Sequence, residues 1–407
     1  MSFLRNFASA IKGAAIAATL LAPGVSLSAE TPDTLVPLKI APVEFKPSRN
    51  IFKRLSDYLK ETNKPKPYKP IDFSIIGGPY YSTDTKFGIG LVGAALYNPE
   101  PSDTTGSLMS MASLKGQITT SLYYSIGFVG YHNFPGGRAR LDYSLKFSSF
   151  PTWYWGIGYD YGRQDDHKTK FKKQGYNFAT GFQWEAVPHI YIGPTFELNY
   201  VMAKHIKDMS IWGDNPETVT SVGAGVTLQY DSRDCVTEPT RGWNIVLDQR
   251  FYPRFLGNST HSFSSTWLTI AKYIRPWHTA VLATRLSAIL TYGSTPWSEM
   301  GIIGGPISMR GYYEGRYRDK CAADLTIELR QHIMGRSGMV VWVGTGTVFA
   351  APRDIRWKHL LPNAGVGYRW EFKKNTNVRL DVGFGRGEWG LEFNLSLIHI
   401  SEPTRPY

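Results

Sequence analysis

The chain has 407 residues, a formal charge of +12 and two cysteines. This length fits one large barrel or two globular domains, and two cysteines in so long a chain exclude a disulfide framework. No run of 18 apolar residues follows the N-terminus, which excludes spanning helices, but 14% aromatic residues and 40 Gly suit many short strands and turns, and barrel strands escape a hydropathy filter because they alternate.

In chain order, residues 1–29 read as a signal peptide. Arg5 and Lys12 flank the basic region, an apolar core follows, and Ser26-Leu27-Ser28-Ala29 offers a cleavage site. Residues 30–85 form a Pro- and Lys-rich periplasmic linker. Within it Ile51, Leu55, Tyr58 and Leu59 fall at helical spacing, and Ser48 is placed to cap the helix. That short amphipathic helix packs on the barrel rim or, alternatively, plugs the lumen.

From residue 86 to residue 395 one unit repeats: an alternating run of about ten residues, then a turn. Sixteen runs are counted, the first at Phe87 and the last at Trp389, with one starting at Trp153. Val222, Ala224, Val226, Leu228 and Tyr230 alternate with Gly223, Gly225, Thr227 and Gln229. Val378, Leu380, Val382 and Phe384 alternate with Arg379, Asp381, Gly383 and Gly385. Apolar faces end repeatedly in Trp or Tyr, as at a bilayer interface, and only a closed barrel satisfies every backbone group in lipid. The expected fold is therefore all-β, a 16-stranded antiparallel transmembrane barrel of the outer membrane. Connections at residues 149–151, 186–188 and 373–376 read as short periplasmic turns; those at 162–174, 201–217 and 293–319 read as long outer loops.

Residues 304–330 are the most unusual stretch. The first part has no periodicity and many Gly, Tyr and Arg, so it is a loop. In the second, Asp324, Thr326, Glu328 and Arg330 alternate with Leu325, Ile327 and Leu329, a strand with one charged and one apolar face. Gly304-Gly305 followed by Arg310-Gly311-Tyr312 resembles the signature loop of the bacterial surface antigen superfamily of outer-membrane barrels (BamA/TamA-like). The resemblance implies a sixth outer loop folded into the lumen, with Arg310 inside, and a following strand whose Glu-x-Arg is Glu328 and Arg330. Tyr230, Asp231, Arg233, Asp234, Pro239 and Gly242 are similar to the family turn between the eighth and ninth strands. Trp342 to Gly346 aligns with a family pattern Phe-x-Asp-x-Gly, but Gly344 stands where the family has the Asp that meets the loop Arg. Another acid must then take that role, since an unpaired desolvated guanidinium is costly. The lumen-side candidates are Glu328 first, then Asp324 and Asp381. The family's periplasmic POTRA domains are larger than the linker, so the chain reads as a POTRA-less member without POTRA-mediated partners.

No Gly-x-Ser-x-Gly, His-Glu-x-x-His or phosphate loop occurs, so no enzyme, cofactor or metal site is expected. The charge of +12 permits a nucleic-acid partner, but the basic residues are spread through loops and alternating positions without a nucleic-acid motif, and none is expected. Asp165-Asp166-His167 reads as a solvated charge cluster; Lys168, Lys170, Lys172 and Lys173 after it either meet lipopolysaccharide phosphates or stand solvated. Cys235 and Cys321 are expected at opposite rims, too far apart to pair. Residues 396–407 read as a non-native tail, because Leu395 to Arg405 resembles a translated sequencing adapter. The expected partners are outer-membrane lipid and outer-membrane protein clients, for a barrel of assembly or translocation in a Gram-negative bacterium. The alternative is a passive channel or structural barrel without assembly activity.

Overall fold

In this computed structural model the described residues are 71–397, apart from 84, 100–109, 235–238, 259–261, 307 and 374–375. The expectations for residues 1–70, Cys235, Ile307 and residues 398–407 lie outside them.

Sixteen strands close into one antiparallel barrel. They are β1 (Ile71–Ser82), β2 (Lys86–Tyr97), β3 (Ser110–Thr119), β4 (Tyr124–Asn133), β5 (Ala139–Tyr154), β6 (Thr169–Val187), β7 (Ile190–Lys204), β8 (Thr218–Asp231), β9 (Gly242–Tyr252), β10 (Phe263–Ile274), β11 (Ala280–Gly293), β14 (Cys321–Met334), β15 (Ser337–Phe349), β16 (Leu361–Lys373), β17 (Thr376–Phe384) and β18 (Trp389–Leu397). Between β11 and β14, the three-residue strands β12 (Gly301–Ile303) and β13 (Tyr317–Asp319) pair as a separate hairpin. This hairpin belongs to the sixth connection on the long-loop rim, residues 294–320, here called loop 6.

Alternation decides which face each side chain takes. Phe73, Ile89, Leu114, Ile126, Val343 and Phe384 point outward and are exposed in the isolated chain, a surface that lipid covers. Inward positions carry the charges: Asp324, Arg250 and Asp381 are buried. Among the described residues no helix is long and apolar enough to cross a membrane.

Three readings from the sequence need correction. The barrel starts at Ile71, inside the stretch assigned to the linker. Gly77-Gly78-Pro79 interrupts its alternation, and a proline is tolerated in a sheet mainly at an edge. The run placed at Trp153 is no separate strand. Residues 149–151, read as a turn, continue β5, where Phe150 pairs with Lys173 and Pro151 with Lys172. β5 and β6 are 16 and 19 residues long, well beyond the roughly 10 that cross a bilayer. Their upper ends stand above the long-loop rim, where Tyr154, Phe171, Val201, Trp212 and Trp297 form an aromatic cluster. β18 also runs through Leu397, two residues into the stretch read as a tail.

The closure is uneven. Among the described residues, β1 meets β2 through twelve Cα pairs but meets β18 through two, Tyr81 with Phe393 and Ser82 with Glu392. Just above them the Thr83 N–H donates to the Leu391 carbonyl at 3.2 Å, and Leu391 N–H donates to Thr83 Oγ1 at 2.9 Å.

Candidate functional site

Loop 6 turns down into the lumen because its sequence is apolar where a surface loop would be polar. Ile303 and Met309 are buried with Tyr159, Tyr312, Tyr317, Val348 and Leu361 in one cluster. Gly304 and Gly305 carry positive φ at the entry of the turn. Gly311 (φ 110°) lies flat against β17: a Cβ there would stand 2.6 Å from the Gly383 carbonyl carbon.

This approach delivers Arg310 to the wall of β14–β17. Its guanidinium donates to Glu328, and at 3.0 Å to Asp381. The same group lies over the Trp342 ring, 3.6 Å from the ring centre. Burial pulls the Arg310 pKa down, but Glu328 and Asp381 hold it above its ordinary value. The network continues on both sides. Glu328 accepts from Arg330 Nε at 2.8 Å, Asp381 accepts from Arg369, and Glu392 accepts from Arg379 at 3.0 Å.

Inward glycines make the room. A Cβ on Gly365 would stand 2.1 Å from the Trp342 ring, and one on Gly367 would stand 2.0 Å from the Asp381 carboxylate. Trp342 Nε1 donates to Asn363 at 2.9 Å, and Asn363 donates to the Arg310 carbonyl. The loop residue is thus held by side chain and main chain together.

Of the three acids considered for Arg310, the structure brings Glu328 and Asp381 to it. Asp324 is occupied elsewhere, accepting from Ser308 Oγ at 2.8 Å and from Arg285 at 3.3 Å. At Gly344 the β14 backbone comes close, and a Cβ would stand 2.7 Å from the Leu325 carbonyl oxygen. The Tyr312 hydroxyl donates to the Pro362 carbonyl and accepts from the Arg386 N–H, each at 2.7 Å.

The sequence reading missed Trp342 as the ring under Arg310, and it missed a second clamp. Arg316 pairs with Glu388 and, at 2.6 Å, with Asp165, while the Tyr313 N–H donates to Glu388 at 2.8 Å. Burial pushes the Glu388 carboxyl up in spite of these donors. Asp165 is therefore partnered rather than merely solvated. The inward Trp342 facing Gly365 was a usable signal; nothing in the local pattern links Arg316 to Glu388.

The turn residues group at the opposite rim. Asp231 accepts from Arg233 Nε at 2.8 Å, and Asp234 accepts from the Thr240 N–H at 2.9 Å. Gly242, at φ 102°, packs against the Ser232 carbonyl oxygen. Tyr230 faces outward, and Pro239 lines the lumen. These contacts close the turn. Cys321 is buried as a free thiol. Among the described residues no cluster suited to a metal ion occurs. Lys173, expected in an outer loop, lies in β6 and lines the lumen.

The Omp85 superfamily domain matches residues 105–387. No curated protein sequence matches the chain. Among solved structures it is similar to BamA from Haemophilus ducreyi lacking POTRA domains 1–3, with a TM-score of 0.53 and 11% identity over 81% of this chain and 71% of that one. It is similar also to CdiB from Acinetobacter baumannii (TM-score 0.51, 12% identity) and CdiB from Escherichia coli (0.52, 13%), covering 81% of this chain in each case. It spans 60% and 63% of those two chains. At such identities the likeness shows the fold. The family match covers well over half of the sequence, and the chain belongs to the Omp85 superfamily, whose barrels sit in the bacterial outer membrane.

Proposed function

We propose that this chain is a non-enzymatic barrel that assembles or translocates outer-membrane proteins through the seam between β1 and β18. The observation that carries this reading is the two-pair closure. Among the described residues, main-chain groups of β1 below Tyr81 have no β18 partner in the sheet, and an unpaired edge is a template for a further strand. Gly77, Gly78 and Pro79 keep that edge short of side chains and of one N–H. Loop 6 braces β14, β16 and β17 by its Arg310 clamp, so the neighbouring wall stays fixed while the seam parts. Outer-membrane lipid covers the barrel; Lys168 and Lys170, stacked on Trp153 at 5.3 and 5.9 Å, offer cations to lipopolysaccharide phosphates.

The test is a seam lock. Tyr81→Cys with Phe393→Cys places two thiols on facing positions. Vesicles containing the purified chain should speed the insertion of an unfolded eight-stranded reference barrel. The oxidised lock should abolish the acceleration and reduction should restore it. Equal rates with the lock open, closed or absent would reject the reading and leave a passive barrel.

A further inference from the structure

The lumen holds a cavity of about 1290 Å³ that runs from the underside of loop 6 to the turns of the opposite rim, where Thr240, His278 and Arg336 line it. Eleven Lys or Arg side chains line it against six Glu. On the β14–β18 wall the cations are matched: Arg330 by Glu328, Arg369 by Asp381 and Arg379 by Glu392.

The facing wall carries fewer acids, and its ion pair of Arg140 with Asp142 lies at the short-turn end of β5. β2, β3 and β4 contain no Asp or Glu. Lys115 and Lys146 both pair in register with Gly127, so they stand two strands apart, about 10 Å, with no side chain between them. Lys173 lies farther up, on β6. Among the described residues, neither Lys115 nor Lys173 has a carboxylate at ion-pair distance. Glu314 of loop 6 extends towards this wall, where Lys173 and Lys146 act on its carboxyl.

We propose that this wall binds a multivalent anion of the polyphosphate class, admitted from the short-turn rim, with Lys115, Lys146 and Lys173 as its cations. Three compact ammonium groups around open space suit phosphate oxygens presented in several directions, whereas a carboxylate is better met by a planar fork. The chain's own preceding segment does not match in charge. Residues 30–70 contain nine Lys or Arg and five Asp or Glu. Glu314 acts as the resident counter-charge, which an arriving anion displaces. The inference is independent of the seam.

Inorganic tripolyphosphate is the probe, titrated calorimetrically into the folded full chain in detergent at low salt. Binding is expected, weakening as salt screens it. K115Q/K146Q/K173Q should lower affinity about tenfold or more, the loss of one well-placed charge contact. Glu314→Gln should raise affinity by removing the competitor. Lys207→Gln, at an exposed position outside the cavity, should change nothing. Should the triple variant fail to fold by heat-modifiability, Lys115→Gln and Glu314→Gln carry the test with opposite expected signs. Absence of binding at millimolar probe, or equal affinity in the wild-type chain and the lysine variants, would overturn the proposal. So would weakening confined to the Lys207 variant.

Discussion

Strands β14 to β18 put Asp324, Glu328, Asp381 and Glu392 on the lumen wall and match them with Arg285, Arg330, Arg369 and Arg379. β2 to β4 put Lys115 there and no acid. Both walls use the same alternation and the same inward parity, so the fold does not dictate the difference. What differs is whether a loop lies on the wall. Arg310 comes down where two carboxylates await it, and excluded water makes an unmatched charge expensive there. On the facing wall, among the described residues, Lys115 and Lys173 stand without a carboxylate at ion-pair distance. Charge matching thus goes with the wall that loop 6 clamps through Arg310.

The largest effect should come from removing the shared cation. Arg310→Ala strands Glu328 and Asp381 against fewer donors. Breaking a buried pair by deleting one partner costs about 3–5 kcal/mol. The expected result is a lower unfolding midpoint by heat-modifiability and faster protease cleavage at Arg316, with membrane insertion kept. Arg310→Lys should rescue little, since one ammonium cannot span both acids with a planar fork. Glu328→Ala should show the same phenotype, and the double variant should be no worse than the more damaging single. Additive losses would show that the two residues act separately.

Next in size is the floor under the clamp. Gly365→Ala puts a methyl group into the Trp342 ring, and overpacking of this kind costs about 1–3 kcal/mol. The measured midpoint should fall, and the protease site at Arg316 should open as it does for Arg310→Ala. An unchanged midpoint would mean that Trp342 does not hold the guanidinium.

These residues also show how far the sequence can be read. Strict alternation in β8, β16 and β17 gives the barrel and each side chain's face, and parity alone puts Glu328 and Asp381 in the lumen. β1 escapes because Gly77, Gly78 and Pro79 interrupt its pattern, and an edge strand tolerates what a central strand does not. β5 is split in the reading because Pro151 suggests a turn, although its fixed φ fits an extended strand. The pairings of Arg310 with Asp381 and Arg316 with Glu388 join residues 71 and 72 positions apart. No local period carries that information, because the return of the chain around the barrel creates it.

A smaller, pH-dependent effect separates the walls at their junction. Glu299 of loop 6 accepts from Asn199 at 2.7 Å, on the far side from the Arg310 clamp. Burial first, and then the Glu197 carboxylate, push its pKa from 4.5 up to about 7; Asn199, Ser221 and Lys173 act the other way. The folded chain therefore binds more protons than the unfolded chain between those values. Its contribution is full below about 4.5 and is lost as pH rises through about 7. The unfolding midpoint should fall across that window, and Glu299→Gln should flatten the slope. A parallel profile in the variant would assign the slope to other groups, Glu314 and Glu388 first.

The smallest effect is expected on the open wall, and it is the sharpest check of the contrast. Lys115→Gln removes a charge that no carboxylate contacts among the described residues, so no described partner is stranded. Its neighbour in charge, Lys146, stands about 10 Å away across Gly127, and losing that repulsion favours the folded barrel slightly. The two charges stand two strands apart, so the shift should stay within about 0.5 kcal/mol, as for substitutions that break no buried contact. It should be zero or stabilising, against the large loss for Arg310→Ala. Loop 6 should also stay as protected from protease as in the unaltered chain, because its clamp lies on the other wall. A loss comparable to that of Glu328→Ala would mean that Lys115 is matched by a group inside the lumen. The two walls would then differ only in which residues supply the match.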